Sequence, residues 1–111
     1  MRKVSKTVLT AFLNFEKRRI KNTSTDGLSV TLHNNKIIER IPSGGFRLSM
    51  CGWPTVTTRE RLNTFLNLLG HPHTCFFQHN HAQYFRRSNG TTFAIDPSAT
   101  YILEELLNAK P

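Results

Sequence analysis

Between Lys3 and Ile20, apolar residues recur at helical spacing at Val4, Val8, Ala11, Phe12 and Phe15, with Leu9 and Leu13 beside them. Lys and Arg fill many of the other positions, so residues 1–21 read as a basic amphipathic helix. Lys17, Arg18 and Arg19 fall in its expected last turn, where cations interact favourably with the negative end of the helix dipole. The polar run Asn22 to Gly27 then reads as a loop.

From Leu28 onward the pattern alternates. Leu28, Val30 and Leu32 are separated by Ser29 and Thr31, and a second run from Lys36 contains Ile37, Ile38 and Ile41. Asn tolerates positive φ, so Asn34-Asn35 is the expected two-residue turn, setting Leu32 opposite Ile37 and Leu28 opposite Ile41. Pro42 to Gly45 break the run, and Phe46, Leu48 and Met50 alternate as a third strand leading into Cys51-Gly52-Trp53. Thr57 and Glu60 have the spacing of a capping box, Leu62, Phe65, Leu66 and Leu69 follow on one helical face, and Gly70 stands at the expected stop. Residues 28–70 therefore form one expected βββα unit.

A second unit, 74–109, repeats the order. Cys75 to Phe77, Ala82 to Arg87 and Thr91 to Ile95 read as strands, with Asn89-Gly90 as the hairpin signal between the last two. Asp96 and Pro97 then suit the start of a helix that buries Ile102, Leu103, Leu106 and Leu107. The expected fold is a single α+β domain: an N-terminal helix and two βββα units, with antiparallel sheet packed on helices. Trp53 to Thr57 and Asp96 to Thr100 occupy corresponding places, which raises the question of a degenerate repeat.

Composition agrees with one domain: the chain has 111 residues, 38% hydrophobic, with eight Phe, enough for a modest core. The net charge of +8 points to a polyanion such as nucleic acid, anionic lipid or an acidic protein surface. It is concentrated at the start, where Arg2, Lys3, Lys6, Lys17, Arg18, Arg19 and Lys21 face only Glu16. Two cysteines, Cys51 and Cys75, without a secretory leader pattern, argue against a disulfide scaffold and for a reducing, cytoplasmic setting. No apolar run is long enough to insert in a membrane.

Several groups of residues carry possible chemistry. His71, His73, Cys75, His79 and His81 are the metal candidates, set against surface histidines near a hairpin, because their spacing matches no standard zinc pattern. No nucleophile with a base, carboxylate pair or phosphate-cradling loop is visible, so neither an enzyme nor a cofactor is expected. Arg59 and Arg61 sit in the first turn of the central helix, against its dipole, which suggests an anion site or pairing with nearby acids. Tyr84-Phe85-Arg86-Arg87 mixes aromatic and basic residues, as base-stacking proteins do. Trp53 is expected to pack at the hinge between sheet and helix.

The stretches Asn22-Thr23-Ser24-Thr25, Leu32-His33-Asn34-Asn35-Lys36-Ile37 and GWPTVTTRERLN from Gly52 to Asn63 resemble a group of small tailed-phage proteins. Those proteins share a loop like NTS, a hairpin like LHGNKIA and a block like GWPTxTTRERLN. The similarity spans Ala11 to Leu66, with Asn34-Asn35 where Gly-Asn is usual. It implies a phage or prophage origin and expression in a bacterial cytoplasm; it brings no catalytic residues. Binding without catalysis is the expected function. Nucleic acid is the first partner, held through the N-terminal cations with Arg59, Arg61, Arg86 and Arg87. An inhibitor or adaptor docking on an acidic host or anti-phage defence protein is the alternative, and a homo-oligomer through the first helix is a further one.

Overall fold

The computed structural model describes residues 2–108. The first helix, α1 (Lys3–Leu13), is shorter than its apolar period suggests. Asn14 caps it, and Phe15 takes a left-handed φ of +60°. The Phe15 N–H then donates to Phe12 O and the Glu16 N–H to Ala11 O, a Schellman stop made without glycine. Arg40 accounts for it. Its guanidinium lies 3.8 Å from the Phe15 ring centroid and donates to Phe12 O at 2.7 Å and, through Nε, to Gly27 O at 3.0 Å. The cation that caps α1 is thus Arg40; Lys17, Arg18 and Arg19 lie beyond the helix.

Residues after Glu16 turn into the sheet, where a longer helix and a loop had been expected. β1 (Arg18–Ile20) and β2 (Thr23–Thr25) pair antiparallel. The polar run can be a strand because its threonines are satisfied while buried. Thr23 donates to Asn22 Oδ1 and Thr25 to Ser29 O, so neither hydroxyl enters the core unpaired.

β3 (Ser29–Leu32), β4 (Asn35–Arg40) and β5 (Phe46–Ser49) continue the meander. Its first turn is His33-Asn34, with φ of +50° and +67°, one residue earlier than expected, and Leu32 faces Asn35. A bulge at Val30/Thr31 then lets Ile37 and Ile38 both point inward, at 2% and 0% exposure. Leu28 is left exposed.

α2 (Val56–Leu68) starts from Thr55, whose hydroxyl accepts the Thr58 N–H at 3.1 Å; the Thr57–Glu60 capping box does not form. β6 (Cys75–His79), β7 (Ala82–Arg86) and β8 (Thr92–Ala94) make a separate three-stranded sheet. The two-residue left-handed turn here is Asn80-His81. Of the Asn89-Gly90 pair only Gly90 has positive φ, in a wider turn where the Arg87 N–H donates to Thr91 O.

Asp96-Pro97 forms a turn, the Asp96 carboxylate accepting the Ser98 N–H, and the chain returns as β9 (Thr100–Ile102) beside β5. Only then does α3 (Leu103–Leu107) begin. Ile102 is exposed, while Leu103 and Leu106 are buried. The larger sheet runs β1-β2-β3-β4-β5-β9. The order of helix, three strands, helix, three strands, helix is present, with β1, β2 and β9 added to it.

α1 and α2 cover one face of the larger sheet, and Phe12, Phe46 and Phe65 meet beneath them with centroids 5.0 to 5.9 Å apart. Asn63 joins the second sheet to α2 by bonding both backbone groups of Phe76, at 2.7 and 3.0 Å.

Candidate functional site

The face of the larger sheet turned away from α1 and α2 is polar, for a reason written into the strand period. Where Val30 and Leu32 point to the core, Thr31 points out, and pairing aligns it with its neighbours across the sheet. Arg19 lies opposite Ser24, Ser24 opposite Thr31, and Thr31 opposite Lys36. One row therefore starts and ends in a cation, with two hydroxyls between them that bond each other at 2.5 Å. At about 4.8 Å per strand the row is about 14 Å long.

Around the row lies a shallow concavity of about 550 Å³. Lys17, Arg18, Arg19 and Lys36 supply its cations, and Ser24, Thr25, Ser29 and Thr31 its hydroxyls. Asp26 is the one acid in the lining. Its Oδ1 accepts the N–H groups of Leu28 and Ser29 at 2.9 and 2.8 Å, and these bonds hold its carboxyl below the usual range. It is thus committed to its own loop. Among the described residues a single ion pair forms, Arg61 with Glu60, so no carboxylate neutralises the four cations of the concavity.

The other cations expected at the site are placed differently. Lys6 shares a smaller depression with Arg18 at the β1 edge, while Arg2 and Lys3 are exposed at the start of α1 and Lys21 lies in the β1–β2 turn. Arg61 is a correction: it is 4% exposed and donates to Ser5 Oγ at 2.7 Å, Glu60 Oε1 at 2.5 Å and Thr23 Oγ1 at 3.0 Å. It ties α1, α2 and β2 together and is closed to a ligand. Burial pushes the Glu60 carboxyl up, but hydrogen bonds from Ser5, Thr64, Arg61 and the Arg2 N–H outweigh it and hold the group below the ordinary range.

Arg59 also has internal partners, donating to Pro54 O, Gln78 Oε1 and Gln83 Oε1. Arg87 bonds Leu106 O at 2.9 Å and Glu105 O at 3.3 Å, and its guanidinium lies 4.4 Å from the Phe93 centroid. Arg86 is exposed on the second sheet, away from the row, on the face where Phe77 and Tyr84 stack at 5.5 Å. Lys36 is the functional candidate that charge counting missed; the alternation of Ser24, Thr31 and Lys36 against buried neighbours was its available signal.

The histidine cluster does not converge. Cys75 and His79 share a face of β6 but stand four residues, about 13 Å, apart, and His81 occupies the turn. Among the described residues no group of three or more His, Cys, Asp or Glu side chains could hold a metal ion.

Trp53 departs from its expected hinge role, since 62% of it is exposed. It walls a groove of about 370 Å³ whose floor is Leu32, Ile37 and Met50 and whose rim includes His33, Asn35 and Thr57. The hairpin and the GWPT block on which the phage resemblance rests meet at this groove.

Among the described residues no helix is long and apolar enough to cross a membrane. No curated protein and no solved structure matches the chain significantly. A family model described as Kyanoviridae Gp96 protein matches residues 1–102, nearly the whole length. The chain belongs to this family of phage proteins.

Proposed function

We propose that this phage protein binds nucleic acid without catalysis, through the sugar-phosphate backbone, in the cytoplasm of the infected bacterium. The observation that carries the reading is the Arg19–Ser24–Thr31–Lys36 row, flanked by Lys17 and Arg18. Cations at both ends match the repeated charge of a phosphate backbone, and the hydroxyls between them can donate to phosphate oxygens. An acidic protein would be a poorer occupant. Protein interfaces are anchored by apolar and aromatic side chains at their centre, and the floor of this concavity is Ser and Thr.

Four phosphates neutralised by these cations would give a slope of about −3 for log K against log salt. Affinity then falls about 60-fold between 50 and 200 mM salt. Anisotropy of a labelled oligonucleotide measures this. A variant carrying Arg18→Ala, Arg19→Ala and Lys36→Ala flattens the slope by about 2, whereas Arg2→Ala with Lys3→Ala leaves it nearly unchanged. Absence of binding at low salt, or an unchanged slope in the triple variant, overturns the reading.

A further inference from the structure

Trp53 is the only tryptophan of the chain, and the fold holds it at the surface. Cys51 and Gly52 reverse the backbone with φ of +54° and +78°. The reversal is pinned on both sides: the Gly52 N–H donates to Pro97 O, and the Trp53 N–H to Met50 O. The ring is thus carried by an anchored segment while most of its surface stays in water, forgoing the burial that usually places Trp in a core.

The groove beside it and the basic concavity are two sides of one hairpin. Along β3, Leu32 lines the groove and Thr31 the concavity; along β4, Ile37 lines the groove and Lys36 the concavity. The turn His33-Asn34 closes this end of the hairpin, so a chain held at Lys36 can pass around the tip into the groove.

We infer that the Trp53 groove takes an unstacked nucleobase of a single strand whose phosphates lie on the neighbouring basic face. This rests on the proposed function and specifies its substrate. A base is flat, which suits the Trp53 ring and the aliphatic floor, and its edge is polar, which suits Asn35 and Thr57 at the rim. A duplex keeps its bases stacked inside and presents none to the groove without flipping. Single strands are therefore preferred.

The test titrates the full chain with labelled oligothymidylate of about twelve nucleotides, a duplex of equal length and an abasic strand of equal length. Label anisotropy reports binding and Trp53 emission reports stacking. Oligothymidylate is expected to quench Trp53 saturably, in step with anisotropy, and to bind about tenfold more tightly than duplex or abasic strand. Trp53→Ala, at an exposed position, is expected to lose that tenfold and leave duplex binding unchanged. Anisotropy without quenching, together with equal affinity of Trp53→Ala for oligothymidylate, overturns the base site and leaves the basic-face reading standing. No binding of any probe at low salt overturns both.

Discussion

Replacing Arg61 separates a structural arginine from a ligand-binding one. Arg61→Ala removes a 2.5 Å ion pair with Glu60 and charge-assisted hydrogen bonds to Ser5 and Thr23, both fully buried. Such bonds contribute about 1.5 to 3 kcal/mol each. Loss of the guanidinium also relieves its own desolvation, and Ser5 and Thr23 keep the acceptors Glu60 and Asn22 for their hydroxyl protons. The Glu60 carboxylate keeps Ser5, Thr64 and the Arg2 N–H but loses its counter-charge. The net destabilisation is about 3 kcal/mol, the lower end for breaking a buried pair from one side. Urea unfolding followed by circular dichroism is the assay. With a slope of about 1.5 kcal/mol per M, the midpoint falls by about 2 M. Arg61→Met combined with Glu60→Gln replaces both charges and is expected to recover at least about 1 kcal/mol relative to Arg61→Met alone, because the two positions are coupled. A shift under about 0.5 kcal/mol in Arg61→Ala, with nucleic-acid affinity lost, would show that Arg61 meets the ligand and that the buried network is not what holds the helices to β2.

Asp26→Asn keeps Oδ1, which takes all of the side chain's bonds to Leu28 and Ser29, and removes the acid of the basic concavity. Oligonucleotide affinity at low salt should rise severalfold, and an unchanged or lower value counts against that face. Asn63→Ala leaves both backbone groups of Phe76 unpaired and costs about 2 kcal/mol; hydrogen exchange should show β6 and β7 losing protection before β3 and β4. Gly27→Ala places a Cβ 2.9 Å from the Phe15 backbone at φ +91° and costs about 3 kcal/mol, against about 1 for Gly44→Ala, where the space is open. Glu60 titrates below its unfolded value, so its contribution to stability is full above about pH 4.3 and lost as pH falls through the folded pKa. The melting temperature of Glu60→Gln should therefore fall less on acidification than that of the parent chain.

Long periodic segments were legible from residue type. The α2 face Leu62, Phe65 and Leu66 is fully buried as its spacing requires, and Phe46 and Leu48 lie in the fifth strand with Met50 buried just beyond its end. Short segments were less so. Asp96-Pro97 has helix-start chemistry, but that chemistry also makes a tight turn, and pairing of Thr100–Ile102 with β5 decides between them. Of the candidate site, the charge was legible and its placement was not. Arg18, Arg19, Arg59, Arg61 and Arg87 look alike as letters, and only distant partners divide them: Thr23 and Ser5 for Arg61, Gln78 and Gln83 for Arg59, Leu106 O for Arg87.

The sequence by itself determined the mixed α and β class, the single core and the excess of positive charge near the start, because periodicity and composition are local properties of the chain. Tertiary structure alone decided that Arg18 and Arg19 join a sheet, that Lys36 completes the row that Arg19 begins, and that Trp53 stays outside the core. Those outcomes depend on contacts between residues far apart in sequence: Arg40 ending α1 from across the fold, Arg61 donating to the buried Thr23 hydroxyl, and Pro97 holding Gly52. A period along the chain shows which side of an element faces inward; only the packed fold shows which outward sides share a surface.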